Sequence, residues 1–239
     1  DYHYHQDMRE TVSLHDVCHS YGRNPGSGHG HSLSLDHVTV AFPVGSVTAL
    51  TGPNGCGKST LLGLLAGTLP PSHGRITGRP DNICIVPQHS QIPELFPVTV
   101  HDTVAMGRWH WAGGRSRHSI LQYLPYVRRL NRSDHTAVHL AMERTGITDL
   151  ADRTLADLSG GQRQRTLIAQ GLAQEAPLLL LDEPLSAVDA ATADLISRAI
   201  AEEKDAGVTV IIATHDRDQA TAADRVVTLD RGMVVAIHP

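Results

Sequence analysis

The stretch GPNGCGKST, residues 52–60, has the spacing of a loop that binds phosphate groups. Its glycines let the backbone wrap tightly, so several N–H groups can point at one anion. A helix beginning near Ser59 would aim the positive end of its dipole at the same anion. Lys58 adds a compact charge for the β- and γ-phosphates, and the Ser59 hydroxyl is placed to bind Mg²⁺. The motif therefore predicts a binding site for ATP with Mg²⁺. The predicted contacts are Gly52, Pro53, Asn54, Gly55, Cys56, Gly57, Lys58, Ser59 and Thr60.

Cys56 lies inside this loop and has two interpretations. It is either a reactive thiol that a bound nucleotide shields, or a small residue that the loop tolerates. The second interpretation is favoured.

Two acidic residues end a second apolar run, LLLLDEP, at residues 178–184. A fully apolar strand is typical of the centre of a parallel sheet, and open α/β sheets bind ligands at the carboxyl ends of such strands. We expect Asp182 to hold Mg²⁺ and Glu183 to polarise the attacking water. The run IIATHD repeats this arrangement, and it places His215 where an imidazole would contact the γ-phosphate.

A second glycine-containing helix start occurs at LSGGQ, residues 158–162. Ser159 and Gln162 have the S-x-x-Q spacing of a capping box, in which each side chain binds the backbone N–H of the other. Gly160 and Gly161 are poor residues for a first helical turn, yet they would leave N–H groups open to an anion. The segment therefore predicts a second phosphate-binding helix end.

These motifs, in this order, resemble the ATPase subunit of ATP-binding cassette (ABC) transporters over nearly the whole chain. GPNGCGKST resembles the Walker A loop, LLLLDEP the Walker B strand and LSGGQ the family signature. The resemblance further implies that Gln88 is the Q-loop glutamine, Asp189 the D-loop aspartate, His215 the switch histidine and Tyr21 the aromatic residue that stacks on adenine. The implied catalytic residues are Glu183, His215 and Gln88, and the implied Mg²⁺ ligands are Ser59, Gln88 and Asp182. Beyond the Walker A loop, the implied nucleotide contacts are Tyr21, Ser159, Gly160, Gly161, Gln162 and Asp189.

The resemblance also implies the assembly in which the chain works. Two ATPase subunits, expected to be identical, would pair head to tail, so that Ser159 and Gly161 touch the γ-phosphate of ATP bound by the opposite subunit. The pair would drive transmembrane permease subunits, and through them it would act indirectly with a substrate-binding protein. The expected location is peripheral, on the cytoplasmic face of the cell membrane.

The segment PVTVHDTVAMGR, residues 97–108, bears on the transported substrate. It resembles the ATPase subunits of zinc and manganese importers, which makes metal-ion import the first expectation. Ferric-siderophore and cobalamin importers share a similar pattern and remain alternatives. An ABC ATPase outside transport, as in translation or DNA repair, is a further alternative, although this chain shows one cassette and no long coiled coil or zinc module.

The elements that must position these residues alternate between strands and helices, which predicts an α/β fold. The expected fold is a P-loop NTPase with a RecA-like parallel sheet core, an antiparallel β subdomain and an inserted helical subdomain. We expect one ABC ATPase domain over residues 1–239, with the core in 1–91 and 159–239 and the helical subdomain in 92–158. Within that insert, SDHTAVHLAMERTG predicts a helix with Ser133 or Asp134 as N-cap and Gly146 at its end.

Composition excludes several other classes of protein. The net charge of −5 argues against a nucleic-acid partner, since such proteins usually carry a basic surface. The sequence contains no run of about 18 apolar residues, so no membrane span is expected. The three cysteines have neither disulfide nor zinc-finger spacing, and the 16 histidines are expected to be structural or exposed rather than metal ligands.

Overall fold

The computed structural model describes residues 12–21, 33–88, 97–109, 130–186 and 188–239. The strands are β1 (Val12–His19), β2 (Leu35–Phe42), β3 (Val47–Thr51), β4 (His73–Thr77), β5 (Ile83–Val86), β6 (Leu178–Asp182), β7 (Thr209–Ala213), β8 (Arg225–Asp230) and β9 (Met233–His238). The helices are α1 (Lys58–Leu65), α2 (Val100–Ala105), α3 (Arg132–Arg144), α4 (Gly160–Ala173), α5 (Ala190–Asp205) and α6 (Arg217–Ala222).

The chain divides into two compact units. The first, here called the core unit, comprises residues 1–88, 176–186 and 200–239. The second, here called the helical unit, comprises residues 89–175 and 187–199. The domain boundaries expected from the sequence stay a prediction.

The main sheet of the core unit has the strand order β5-β6-β7-β3-β8-β9. Neighbouring strands are parallel except for the β8–β9 pair, which is antiparallel. The central strands are almost wholly apolar and buried, because a parallel sheet is covered on both faces. Since β3, β6 and β7 are adjacent and parallel, the loops that follow them begin at the same edge of the sheet.

A smaller antiparallel sheet, with the order β2-β1-β4, lies in the same unit. Its buried side chains, such as Leu14, Leu35 and Phe42, belong to one apolar cluster with Leu61 and Leu65 of α1. The parallel core and the separate antiparallel sheet confirm the expected α/β fold class.

The helical unit packs α2, α3 and α4 together around a buried ion pair. Arg108, which follows α2, donates from Nε to Asp134 Oδ1 at 3.0 Å. Its Nη1 donates to the carbonyl of Ala173 at 2.9 Å and to Glu175 Oε2 at 2.6 Å. One guanidinium therefore ties the start of α3 to the end of α4.

The expected N-cap of α3, Ser133 or Asp134, is wrong, since the N-cap lies two or three residues earlier, at Asn131. Asn131 caps it by accepting the Asp134 N–H at 3.0 Å, and Asp134 accepts the Asn131 N–H at 2.9 Å. Asp134 is thus the third helical residue, and burial against Arg108 accounts for its place. Gly146 follows the helix with a φ of +62°, as expected for a residue that ends it.

Among the described residues, no helix combines the length and the apolar character needed to cross a bilayer.

Candidate active site

The phosphate loop connects the end of β3 to the start of α1. A side chain at Gly52, where φ is +139°, would come within 2.1 Å of the Leu229 carbonyl. A side chain at Gly57, where φ is +109°, would come within 2.6 Å of the Ser34 carbonyl. Glycine is therefore required at both positions for the loop to keep this shape. The helix begins at Lys58, one residue before the expected start.

Two side chains of this loop have defined contacts. Lys58 Nζ donates to the carbonyls of Gly52 at 2.8 Å and Pro53 at 3.2 Å, so the ammonium lies over the loop itself. Cys56 is only 3% exposed and belongs to the apolar core. That burial favours the interpretation of Cys56 as a small packing residue.

Asp182 and Ser59, two of the predicted Mg²⁺ ligands, are neighbours. Asp182 is the last residue of β6, and its carboxylate is hydrogen-bonded to the side chain of Ser59 at the start of α1. Burial raises the pKa of the Asp182 carboxyl, while the Ser59 hydrogen bond and the charge of Lys58 oppose that rise. A partly buried carboxylate beside a hydroxyl is a donor set of hard oxygens, which suits Mg²⁺.

Glu183 joins the other predicted catalytic residues. Gln88 Nε2 donates to Glu183 Oε2 at 2.6 Å, and His215 Nδ1 lies 3.4 Å from Glu183 Oε1. The structure therefore brings together Gln88 after β5, Glu183 after β6 and His215 after β7.

The backbone of Glu183 is unusual for a residue with a side chain. Its φ is +49°, and its N–H donates to the Ala213 carbonyl at 2.9 Å. Positive φ is uncommon outside glycine and carries strain, which tends to occur where a side chain must be aimed at a functional site. The side chain is 14% exposed.

The turn that presents His215 is held on both sides by residues that sequence reasoning missed. The Thr214 N–H donates to the Leu50 carbonyl at 2.9 Å, and the Thr214 hydroxyl accepts the Asp216 N–H at 3.0 Å. Asp216 in turn caps α6 by accepting the Gln219 N–H at 2.9 Å. A Thr and an Asp flanking the histidine at a predicted strand-to-helix junction were the available signal.

Tyr21 lies beside the phosphate loop. Its hydroxyl is 3.1 Å from Thr60 Oγ1, and its ring meets the His19 ring edge to face at a centroid distance of 4.9 Å. The side chain is nevertheless 62% exposed, so an aromatic face remains open next to the loop. This position agrees with the expected stacking role without testing it.

The signature segment lies in the helical unit and forms the expected capping box. The Ser159 N–H donates to Gln162 Oε1 at 3.0 Å, and the Gln162 N–H donates to Ser159 Oγ at 3.3 Å. A side chain added at Gly160 would meet no described atom within 4 Å, and one added at Gly161 would meet only the Thr192 hydroxyl, at 3.7 Å. Packing within the described chain thus gives no reason for glycine at Gly160.

Asp189, in the same unit, acts as the N-cap of α5. Its Oδ1 accepts the Thr192 N–H at 2.7 Å, and its carbonyl accepts the Ala193 N–H at 2.9 Å. The hydrogen bond from the Thr192 backbone lowers the pKa of the Asp189 carboxyl. Helix capping therefore accounts for an aspartate here, and its predicted nucleotide contact stays a prediction.

The fold and the phosphate loop define the chain as a P-loop NTPase. A comparison with protein families goes further, because the model of the ABC transporter family matches residues 35–186, more than half of the chain. The chain therefore belongs to the ABC transporter family.

Several curated relatives match most of the chain. It is 41% identical over 216 residues to a hemin import ATP-binding protein of Streptomyces coelicolor, covering 86% of this chain and 72% of the relative. It is 35% identical to a manganese transport system ATP-binding protein of Synechocystis, covering 83% and 76%. It is 36% identical to the ferric enterobactin transport ATP-binding protein of Escherichia coli, covering 87% and 77%.

Solved structures agree with these relatives. A putative metal-chelate type ABC transporter in an inward-facing conformation matches with a TM-score of 0.73 and 30% identity, covering 95% of this chain and 82% of that one. A cassette solved in a post-hydrolysis state with ADP and phosphate matches with a TM-score of 0.78 at 24% identity, covering 95% and 97%, and supports the fold alone. The chain is thus an ATP-hydrolysing member of the ABC transporter family.

Proposed function

We propose that Glu183 is the general base of ATP hydrolysis in this chain. The observation that carries the proposal is the contact of one carboxylate with both Gln88 and His215, at the sheet edge where the phosphate loop begins. The Gln88 amide N–H holds Glu183 Oε2 at 2.6 Å, whereas Oε1 has the longer contact, 3.4 Å to His215 Nδ1, and is the oxygen we assign to accept a proton from water. In this proposal His215, whose side chain is 64% exposed, contacts the γ-phosphate.

Mg²⁺ fits the Ser59–Asp182 pair and would neutralise charge on the β- and γ-phosphates when bound. Ser59 offers a hydroxyl oxygen and Asp182 a carboxylate. Gln88 can serve both predicted roles, because its amide nitrogen donates to Glu183 while its carbonyl oxygen is left for the metal.

Lys58 now donates to two loop carbonyls, and it exchanges them for phosphate oxygens when ATP binds. Tyr21 supplies the exposed ring for adenine.

Glu183→Gln tests the assignment of the base. The substitution keeps the size and hydrogen bonds of the side chain but removes its capacity to take a proton. We expect steady-state hydrolysis of MgATP to fall by about 10²–10⁴-fold, the usual contribution of a general base, with ATP affinity retained. Glu143→Gln, on the exposed surface of α3, is the matched control and should hydrolyse ATP at the wild-type rate. Equal rates for both variants would reject Glu183 as the base.

We also propose that the signature acts on ATP bound by a second copy of the chain. Two local observations support this proposal. No described neighbour leaves Gly160 too little room for a side chain, so packing does not explain the glycine. The capping box also leaves the N-terminus of α4 at this surface, where it could bind an anion. In a head-to-tail homodimer, Ser159 and Gly161 would contact the γ-phosphate, with Gly160, Gln162 and Asp189 beside them. The permease subunits would bind this dimer at the cytoplasmic face of the cell membrane.

For the cargo, we propose a metal held in an organic chelate, of the hemin or ferric-siderophore class. Support comes from the relatives named for hemin and ferric enterobactin, at 41% and 36% identity, and from the metal-chelate type structure at 30%. Free manganese or zinc is the second candidate, favoured by the segment at residues 97–108 and by the manganese relative at 35%.

Cargo-stimulated hydrolysis distinguishes these candidates. The chain would be reconstituted in liposomes with its permease and its substrate-binding protein, and ATP turnover would be measured with hemin, ferric enterobactin, cobalamin, Mn²⁺ or Zn²⁺. We expect stimulation by an iron chelate and none by the free ions. Stimulation by Mn²⁺ or Zn²⁺ alone would replace the first candidate with the second.

A further inference from the structure

A cluster of potential metal ligands lies on the small antiparallel sheet, apart from the residues assigned to ATP. Ligand atoms of Cys18 in β1 and of Asp36 and His37 in β2 all lie within 4.8 Å of one another. Tetrahedral zinc, with bonds of about 2.0–2.3 Å, places its ligand atoms about 3.3–3.8 Å apart. Small rotations of these side chains would therefore close the cluster around an ion.

The backbone aims these side chains by two irregularities in strand pairing. The β1–β2 register shifts between Leu14 and Val17 and again between Val17 and His19. At these shifts Asp16 has a φ of +53° and His37 a φ of +46°. Bulges re-aim side chains and often lie next to functional sites, and positive φ at a residue other than glycine is itself uncommon.

Asp16 holds the His37 ring in the orientation that a metal ligand needs. His37 Nδ1 lies 2.7 Å from Asp16 Oδ1, so the ring N–H at Nδ1 donates to the carboxylate. The free nitrogen is then Nε2, which lies 3.9 Å from Asp36 Oδ1. A carboxylate that accepts the second ring N–H is the usual outer partner of a metal-bound histidine.

Two further contacts support the same site. His73 Nε2 lies 3.3 Å from Asp16 Oδ2, so the orienting carboxylate is held from both sides. The backbone N–H of His37 donates to Cys18 Sγ at 3.3 Å, a bond that stabilises a thiolate. Cys18 is 7% exposed, whereas the His37 side chain is 65% exposed, so a buried thiol lies beside an imidazole that water can reach.

We propose that Cys18, Asp36 and His37 bind a divalent transition-metal ion, with Asp16 as the positioning residue for His37. One thiolate, one imidazole and one carboxylate form a donor set that suits Zn²⁺, with water as the fourth ligand. Binding releases the Cys18 thiol proton to the buffer, since only the thiolate coordinates. The site does not depend on the role of Glu183 or on the cargo.

Co²⁺ and Zn²⁺ are the probes for this site, used on the full chain after chelator treatment and without nucleotide. We expect the Co²⁺ complex to show thiolate-to-metal charge-transfer absorption, and Zn²⁺ titration to give one more bound ion in the wild type than in Cys18→Ser or His37→Asn. Asparagine tolerates positive φ, so His37→Asn should preserve the β2 bulge. Asp16→Asn should weaken Zn²⁺ binding by about 10–100-fold, as expected of an outer partner.

His139→Asn is the matched control, because His139 also pairs with a carboxylate, Glu143 at 3.5 Å, but has no thiol in its pair. This control should bind Zn²⁺ and Co²⁺ as the wild type does. Hydrolysis of MgATP checks that each variant is folded, since none of the substituted residues is assigned to the nucleotide. A Co²⁺ complex without charge-transfer absorption, or one whose absorption survives Cys18→Ser, overturns the proposal.

Discussion

At the scale of single residues, Asp182 is a carboxylate whose charged form is disfavoured by the folded chain. Burial raises the pKa of Asp182, so its ionised form costs more in the folded, nucleotide-free protein than in the unfolded chain. This cost is present at pH values above the raised pKa and disappears as the pH falls below the pKa of the unfolded chain. The folded protein thus loses some stability by burying Asp182, and in our proposal this carboxylate is the charged ligand of Mg²⁺.

Asp182→Asn should therefore stabilise the nucleotide-free protein at neutral pH while abolishing its Mg²⁺-dependent hydrolysis. Thermal unfolding measured with a chelator present should show a higher melting temperature for the variant at pH 7, and this gain should shrink as the pH is lowered towards 3.8, the ordinary pKa of the carboxyl. Asp194→Asn, which changes an exposed residue of α5, should leave the melting temperature unchanged. A variant that is less stable than the wild type at pH 7 would show that hydrogen bonding outweighs burial at this carboxyl.

At the scale of elements, the sequence predicts features that depend on a few neighbouring residues. The phosphate loop and the Ser159–Gln162 capping box are each encoded within a few positions, so spacing alone predicts them. The predicted N-cap of α3 was wrong because Asp134 pairs with Arg108, a residue distant in sequence, and therefore lies inside the helix rather than at its N-cap. The Cys18–His37 approach depends on two register shifts between strands, and no local pattern in the sequence marks them.

The packing of α2, α3 and α4 depends on the buried ion pair between Arg108 and Asp134. The side chains of these two residues are 9% and 2% exposed. Arg108→Met removes the guanidinium from the buried Asp134 carboxylate, which should lower the free energy of unfolding by about 3–5 kcal/mol. Adding Asp134→Asn removes the stranded charge but keeps an oxygen for the Asn131 N–H, so the double variant should recover part of that loss. Denaturant unfolding measures both, and a double variant no more stable than the single one would contradict this explanation.

At the scale of the whole molecule, the chain carries two helix N-termini, in separate units, that we propose to bind phosphate groups. The first follows the phosphate loop in the core unit, and the second follows Ser159 in the helical unit. Both hydrogen bonds of the capping box form between Ser159 and Gln162, but no described atom lies within 4 Å of a side chain added at Gly160. Packing within the described chain therefore does not explain the glycine. In the proposed head-to-tail pair, a second copy of the chain would give that surface a ligand, because such a pair would offer two equivalent sites built from both subunits.

Mixing two inactive variants tests this arrangement directly. Lys58→Ala disables the phosphate loop, and Ser159→Arg disables the signature while sparing ATP binding by the isolated monomer. In a head-to-tail heterodimer both defects fall in one site, and the other site is assembled from an intact loop and an intact signature. An equimolar mixture should therefore regain up to roughly a quarter of the wild-type ATPase rate, since half of the dimers are mixed and each has one intact site.

The control for that mixture is the double variant Lys58→Ala/Ser159→Arg combined with each single variant. These heterodimers contain no site with both parts intact, so their hydrolysis should stay at background. If the signature instead served the loop of its own chain, each single variant would carry one defective site and mixing could restore nothing. Loss of ATP binding by the Ser159→Arg monomer would point the same way, because a signature that acts only on the opposite subunit leaves its own phosphate loop untouched.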